Sequence, residues 1–484
     1  MLIAAVLAVA PRPVRTPWPQ PEQRAALPCP DRGRDWIEVY IIQQMQDLHI
    51  AGLTACIVVG DEVVWTFAHG YQQLFPERLA TDSTLFMMAS ISKTFTGTAV
   101  LQLWEDGLID LYARVNDYLT TLQVENPVHP SPDISIWNLV THTSSLRDNW
   151  TVMMELYTWG ADSPIPLGEY LFDYFDPSGE YYDRKQNFYD YPPGAYWNYC
   201  NEAYALMGYL VEEVTGSPFD EYCNQNLFEP MGMYETSWFL ADLDTTRIAM
   251  PYQWTGSRWQ PYGHYGYPDY PAGQLRTSSG QLAQLLIAFL NDGWVNGYQL
   301  LDSATVAEAT TLQCPGLNSS MGLTWFKSQA GSHTVWGHGG GDLGVSTQFG
   351  FCPSEGTGVV VLTNSDAGLW SIFVQLFDYA AELTGCPEQG PQPGDCCSIA
   401  VTPNPMAHMG WILVGMPEAG SASVAVYDLA GRVVMQVLEE TPLPIGASSL
   451  ALDSGDLPPG VYVVVLRTAY GSKASRFIRT ADTR

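Results

Sequence analysis

The sequence predicts an α+β chain: an antiparallel sheet flanked by terminal helices, a mostly helical lobe beside it, and then a small all-β sandwich. Three observations predict this. Strand-like runs lie near both ends of the first 385 residues, with a long helical section between them. Residues 385–397, GCPEQGPQPGDCC, break the composition as a Pro/Gly/Cys linker. Beyond it, short β-patterned runs follow one another, separated by turn residues.

Residues 1–28 read as a leader. MLIAAVLAVAP is an apolar run of about ten residues, too short to span a bilayer. It resembles the apolar core of a secretion signal without the basic start, since Arg12 and Arg15 follow it. Ala8-Val9-Ala10 has the look of a cleavage box, although Pro11 disfavours cleavage. A mis-assigned start codon would account for the missing basic end. Residues 11–33 are rich in proline and arginine. Asp35 to His49 then has helical spacing through Trp36, Val39, Ile42 and Met45. Two apolar runs, 54–59 and 62–67, joined at Gly60-Asp61, predict a hairpin. The stretch LFMMASISKTFTGTAV (85–100) turns helical after Ser90, apolar through Phe95, Ala99, Val100, Leu101 and Leu103. Helical periodicity continues over 136–142, 201–215, 219–227 and 279–290. Strand patterns return over 322–327, 334–336, 344–351 and 358–362, and a last helix is predicted from 369 to 383. Strands from both ends then join one sheet, with the terminal helices on it. The Ser90 helix falls at the seam with the helical lobe, a usual place for a pocket. After the linker, runs at 423–427, 433–437, 448–452 and 461–467 predict a sandwich of about 85 residues. No catalytic constellation is visible in residues 401–484.

Composition narrows the function classes. The chain has 484 residues and is 46% apolar, enough for a large core. Lys+Arg 21 against Asp+Glu 51 gives a net charge of −30, which argues against nucleic acid or an anionic membrane as partner. The acidity suits an exported protein or one living in salt, and surface solubility alone would also produce it. No run beyond the leader reads as transmembrane. The nine cysteines show no C-x-x-C or Cys/His zinc spacing. In an exported protein some would form disulfides. Cys314 with Cys352 and Cys29 with Cys386 are the pairings the topology suggests, and the odd count leaves at least one thiol unpaired or bonded to another chain.

Three motifs carry chemistry. Ser90 and Lys93 are separated by two residues, so a helix puts both on one face, Ser90 in its first turn. Serine is a poor nucleophile until a base takes its proton. A neutral lysine amine can be that base, because burial and the positive end of the helix dipole disfavour its charged form. Free N–H groups at the same helix start favour an oxyanion forming at Ser90. S-x-x-K alone is a weak signal, met also where a helix start precedes a solvated lysine. The chain holds only four lysines, Lys93, Lys185, Lys327 and Lys473, which strengthens it. Tyr199-Cys200-Asn201 precedes the next helix. It pairs a phenol able to relay a proton with a carboxamide able to hold a substrate amide. In so aromatic a segment it also reads as rim or core packing. His338-Gly339-Gly340-Gly341 lies between strand-like segments. Its glycines allow a substrate backbone close, its N–H groups can donate to an oxyanion, and His338 can orient a substrate or move a proton. A plain turn beside a satisfied histidine is the alternative. HGGG also serves lipases of the α/β-hydrolase type, but upstream of G-x-S-x-G. This chain contains no G-x-S-x-G, and its HGGG lies far downstream of Ser90.

S-x-x-K, Y-x-N and H-x-G in that order are far more specific than any one of them. Residues from about 35 to 385 resemble the serine beta-lactamase and penicillin-binding-protein superfamily, in its class C beta-lactamase-like branch of esterases and D-amino-acid or DD-peptidases. The stretches 107–119, 134–146, 204–216, 227–233, 321–326 and 359–364 carry the resemblance too. It implies Ser90 as acylated nucleophile, with Lys93 and Tyr199 sharing the general-base and general-acid work. It implies Asn201 holding the substrate amide or the lysine. His338 stands where relatives have the lysine of a K-T-G triad, with Gly339 and Gly340 completing it, and the N–H groups of Ser90 and Gly341 form the oxyanion hole. Two departures follow. His338 removes a permanent cation that would grip a carboxylate, and Gly339 removes a hydroxyl that could touch it, which favours an esterase or peptidase over a true beta-lactamase. The long aromatic stretch 146–199 is a lid, a substrate wall or a rigid insertion.

Near the C-terminus, TPNP (402–405), VYDLAGRVV (426–434) and PPGVYVVVL (458–466) resemble the sorting domain of type IX secretion cargo and, equally, Ig-like flagellar hook-capping domains. A glycan-type binding module is the alternative. The expected organisation is thus a leader (1–28), a serine hydrolase domain (29–385), a linker (386–399) and a C-terminal sandwich (400–484). The resemblance implies hydrolysis of an ester or amide in a small-molecule or peptide substrate through an acyl-enzyme, without metal or organic cofactor. It implies a bacterial protein that is secreted, periplasmic or at the cell surface, with the C-terminal domain addressing export machinery. A beta-lactamase or cell-wall DD-carboxypeptidase, and a silent binding protein of this fold, are the alternatives.

Overall fold

Side chains alternate across a strand, and strand Gly52–Val59 shows what that alternation builds. Leu53, Ala55 and Ile57 face one core while Cys56 and Val58 face another. Because both faces are covered, the strand reads as an unbroken apolar run rather than an alternating one. The computed structural model describes residues 36–385 and 398–480, apart from 403–405, 407–408, 417–418, 429–431, 445 and 469–470. The leader, nearly all of the linker, Cys29, Cys386, Cys396 and Cys397, and parts of TPNP and VYDLAGRVV lie outside those residues. The chain divides into two units between residues 386 and 387.

The first unit is built on a seven-stranded antiparallel sheet. Its order is Phe326–Ala330, His333–Asp342, Val345–Cys352, Thr357–Thr363, Gly52–Val59, Glu62–Gln73 and Arg78–Leu79. The two ends of the unit meet at the pair Ala55 with Val361. Helices Trp36–Asp47 and Trp370–Gly385 lie on one face through Ile37, Ile41, Ile372, Phe373, Leu376 and Phe377. The other face packs on helix Ser279–Leu290 and the helical lobe, whose centre is helix Ser92–Glu105 against helix Asn201–Thr215. The central helix is buried almost all round. Phe95 on it has no exposure and meets Phe228 edge to face at 5.6 Å. A phenylalanine so placed contributes about 3–5 kcal/mol relative to alanine.

Several expected boundaries shift, each for a local reason. The predicted strand over 322–327 is a loop until Phe326, because Thr324 takes φ 72° and interrupts the extended backbone. Gly339 to Gly341 lie inside a strand rather than between strands. They lack the side chains that signal one, yet they pair with Gln348, Thr347 and Ser346. The helix predicted over 136–142 stops at Val140, and His142 has φ 57°. The one predicted over 219–227 becomes a π-turn at Asn224–Phe228. Ser90 lies in a 3₁₀ turn, Ala89–Ile91, and the α-helix begins at Ser92. Cys314 and Cys352 are both buried free thiols, so the expected bond is absent. Cys352 packs in the terminal-helix layer with its Sγ 3.3 Å from Ser354 Oγ, whereas Cys314 sits in the turn after helix Ser303–Ala309. The stretch 146–199 is anchored: Tyr170, Leu171, Tyr174 and Phe188 are buried in the main core. Among the described residues, no helix is long and apolar enough to cross a membrane.

The second unit has a three-stranded sheet (Ser398–Thr402, Met409–Met416, Gly446–Asp453) and a four-stranded one (Val433–Leu443, Gly420–Tyr427, Gly460–Thr468, Gly471–Arg479). Ile412, Val414 and Leu452 from one meet Val424, Val464 and Phe477 from the other in a shared core. This is the small sandwich expected, with three strands that the pattern did not show, over 398–402, 409–416 and 471–479.

Candidate active site

The turn that carries Ser90 is bent by its neighbour. Ala89 has φ 46°, a left-handed conformation costing about 1–2 kcal/mol for a residue with a Cβ. Packing holds it there, between Met87, Tyr265, Tyr267 and Val345. The helix start is tied to the segment after Tyr270: Ser92 Oγ accepts from Leu275 N (3.1 Å), and Thr96 Oγ1 donates to Pro271 O (2.7 Å). That segment also supplies Ala272 O, where Lys93 Nζ donates at 2.6 Å. Lys93 is fully buried, and its Nζ lies 2.7 Å from Asn201 Oδ1 and 3.2 Å from Ser90 Oγ. Burial lowers its pKa to about 8, against the carboxylates of Asp148 and Asp269, which pull it up. Once deprotonated, the amine keeps two N–H bonds, to Asn201 and Ala272, and its lone pair is left for Ser90.

Asn201 is oriented from behind. Cys200 is the extended N-cap residue of helix Asn201–Thr215, and the free N–H groups of that helix start go to Asp148. Asp148 Oδ1 accepts from Asn201 N (2.8 Å) and Glu202 N (3.2 Å), and its Oδ2 accepts from Asn201 Nδ2 (2.7 Å). With the amide nitrogen held by Asp148, the oxygen of Asn201 must face Lys93. The Tyr199 ring lies 5.0 Å from Lys93 Nζ. Its hydroxyl is buried, with the Ser90 hydroxyl as its polar neighbour. Burial raises its pKa well above the usual phenol value, while the Ser90 hydroxyl pulls it down. Tyr199 is therefore a neutral phenol beside the serine. The His142 ring lies tilted against it at 4.4 Å between centroids and accepts from Cys200 N at Nδ1 (3.2 Å).

Strand His333–Asp342 forms the opposite wall. Gly340 sets how closely it approaches: a Cβ there would lie 2.3 Å from Met88 O and 2.2 Å from Thr347 Oγ1. Thr347 Oγ1 itself donates to Met88 O at 2.8 Å, tying the next strand to the same turn. Gly340→Ala is expected to lower Tm by several degrees and kcat/KM by about a hundredfold or more, since misplacing a wall by about 1 Å costs that much. Thermal melts with ester kinetics check it, and a wild-type rate in the variant would refute the fit. His338 is buried, with Phe326 edge to face at 5.2 Å. It lines the same cleft as Ser90 and Tyr199.

Buried acids surround the lysine. Burial raises the pKa of Asp148 and of Glu202, and lifts that of Asp269 to about 7. Asp342, just past the three glycines, is likewise raised by burial and accepts from Tyr157, Tyr267 and Leu343 N. The structure thus brings Ser90, Tyr199 and His338 to one cleft, with Lys93 and Asn201 buried behind Ser90, Gly339 on the cleft wall and Gly340 against the serine turn. Asp148, His142 and Ala272 were missed. Asp148 lies two residues beyond the quoted stretch 134–146, but only the fold shows its carboxylate at the helix start. Among the described residues no cluster of His, Cys, Asp or Glu is arranged to hold a metal ion.

With this geometry in place, comparison with known proteins is informative. A family model described as Beta-lactamase matches residues 37–372. Penicillin-binding protein 4 of Amycolatopsis lactamdurans is 25% identical over 382 residues, covering 73% of this chain and 93% of that protein. The octameric penicillin-binding protein homologue from Pyrococcus abyssi is similar in structure, with TM-score 0.61 and 18% identity over 92% of this chain and 96% of that one. D-amino acid amidase from Ochrobactrum anthropi SV3, complexed with L-phenylalanine, gives TM-score 0.53 and 21% identity over 72% and 95%. At these identities the solved structures establish the shared fold.

Proposed function

The chain belongs to the beta-lactamase family, and on that premise we propose that it is a serine hydrolase of the esterase or D-amino-acid peptidase type. Ser90 Oγ attacks the carbonyl carbon of an ester or amide as neutral Lys93 takes its proton. The carbonyl oxygen becomes an oxyanion held by the N–H groups of Ser90 and Gly341. The C–O or C–N bond then breaks, and the leaving group takes a proton passed from Lys93 through Tyr199. Water, deprotonated by the same pair, attacks the acyl-enzyme, releasing the acid and restoring Ser90.

The observation that carries this reading is the Lys93 amine. Its other bonds leave one direction open, and Ser90 Oγ is 3.2 Å away in it. The test is intact-mass spectrometry after incubation with a fluorophosphonate and, separately, with penicillin, the adduct being mapped by digestion. A fluorophosphonate adduct on Ser90 without penicillin uptake is the expected result. Acylation by both would favour the second reading, a beta-lactamase or DD-carboxypeptidase, which the penicillin-binding relatives suggest. No adduct from either would leave a binding protein with this fold.

The finer placement is also our proposal. The acidic surface, the leader and the C-terminal resemblance together support an exported protein, periplasmic or at the cell surface, whose sandwich serves as a sorting domain.

A further inference from the structure

The cleft beside Ser90 encloses about 410 Å³, with Phe326, Ser328, His338, Gly339, Gln348 and Trp370 among its walls. Its polar lining mixes groups that can donate or accept, the hydroxyls of Ser90, Tyr199 and Ser328 and the Gln348 carboxamide, with the ring of His338. His338 Nδ1 lies 2.7 Å from Gly339 O. A carbonyl only accepts, so Nδ1 carries the ring proton and Nε2 is left as a bare lone pair. Nε2 is buried without a partner. Burial first, and then the charge of Lys93, hold the ring pKa down at about 3, so it stays neutral. A Cβ at Gly339 would lie 2.8 Å from Gln348 Oε1. The Gln348 carboxamide therefore fills the place where a hydroxyl side chain at 339 would sit.

No lysine or arginine is among the residues lining the cleft. Lys327, between Phe326 and Ser328, points to the other side of its strand, as alternation requires. Its Nζ stands 6.0 Å from the Trp336 ring. Lys93 is committed to Ser90, Asn201 and Ala272. A substrate carboxylate placed against the Nε2 lone pair would lose water and meet an acceptor there, whereas an N–H or O–H would gain a bond.

Resting on the reading of Ser90 as nucleophile, we propose that this subsite takes a neutral hydrogen-bond donor of the substrate, a carboxamide or hydroxyl, and rejects a carboxylate in the same place. The substrates it fits are esters or amides whose neighbouring group is amidated or alcoholic, not free acids.

The test uses the full chain and matched thioesters of one acyl group, with mercaptoacetamide or mercaptoacetate as leaving group. A second pair moves the carboxamide and the carboxylate to the acyl chain. A carboxamide preference in kcat/KM of about tenfold or more is expected in at least one pair, with neither favouring the carboxylate. His338→Phe, which keeps a ring but no acceptor, should bring the ratio toward one. His338→Lys should move it toward the carboxylate, with melting curves showing that both variants fold. Parity or a carboxylate preference in the wild-type protein overturns the proposal, as does cleavage of none of the thioesters. If Ser90 still takes the fluorophosphonate while the pairs are at parity, only the subsite inference fails. If Ser90 is unlabelled, the reading beneath it fails as well.

Discussion

Ser90→Ala is expected to slow hydrolysis of an activated short-chain ester by about ten-thousandfold or more. With the nucleophile gone, only the oxyanion donors and binding remain to accelerate the reaction. The fold should persist. Ser90 is only half-buried, and its hydroxyl bonds Lys93, a residue with two further partners. Steady-state kinetics beside a thermal melt makes the check. Turnover within tenfold of wild type would remove Ser90 from the nucleophile's role.

Lys93→Met should lower kcat/KM by about a thousandfold, in the range for loss of a general base. Methionine keeps the straight chain in its slot but leaves Asn201 Oδ1 and Ala272 O without their donor. The variant should therefore also melt lower, each buried orphan costing about 1–3 kcal/mol. The pH profile separates the two effects. The active form is the neutral amine, so wild-type kcat/KM should rise with pH to a midpoint near the Lys93 pKa of about 8 and level off above it. The residual activity of the variant should lose that rise. A wild-type profile falling as pH passes through 8 would mean that the charged lysine is the working form.

The two units differ in how openly the sequence displays them. Helices Asn201–Thr215 and Ser279–Leu290 were legible to the residue, since their apolar spacing extends over several turns. Strands built from glycine or from polar runs, such as 339–341 and 471–479, were not, because pairing rather than side-chain pattern makes them strands. The burial of Tyr170 and Tyr174 shows why an aromatic stretch can look like a lid: composition does not tell a wall from a core.

Within the site, the sequence alone determined what lies inside one turn of chain. Ser90 and Lys93 share a helix face by spacing, and Tyr199 and Asn201 flank a helix start. Tertiary structure decided everything that orients them. Asp148, which turns Asn201, is 53 residues away from it, and Ala272 O, which holds Lys93, is 179 residues from that lysine. The working charge of Lys93 and the bare nitrogen of His338 are likewise products of burial. Periodicity reports only which face of an element seeks the core. Which groups then meet there, and how much water they lose, depends on packing between segments that no local spacing links.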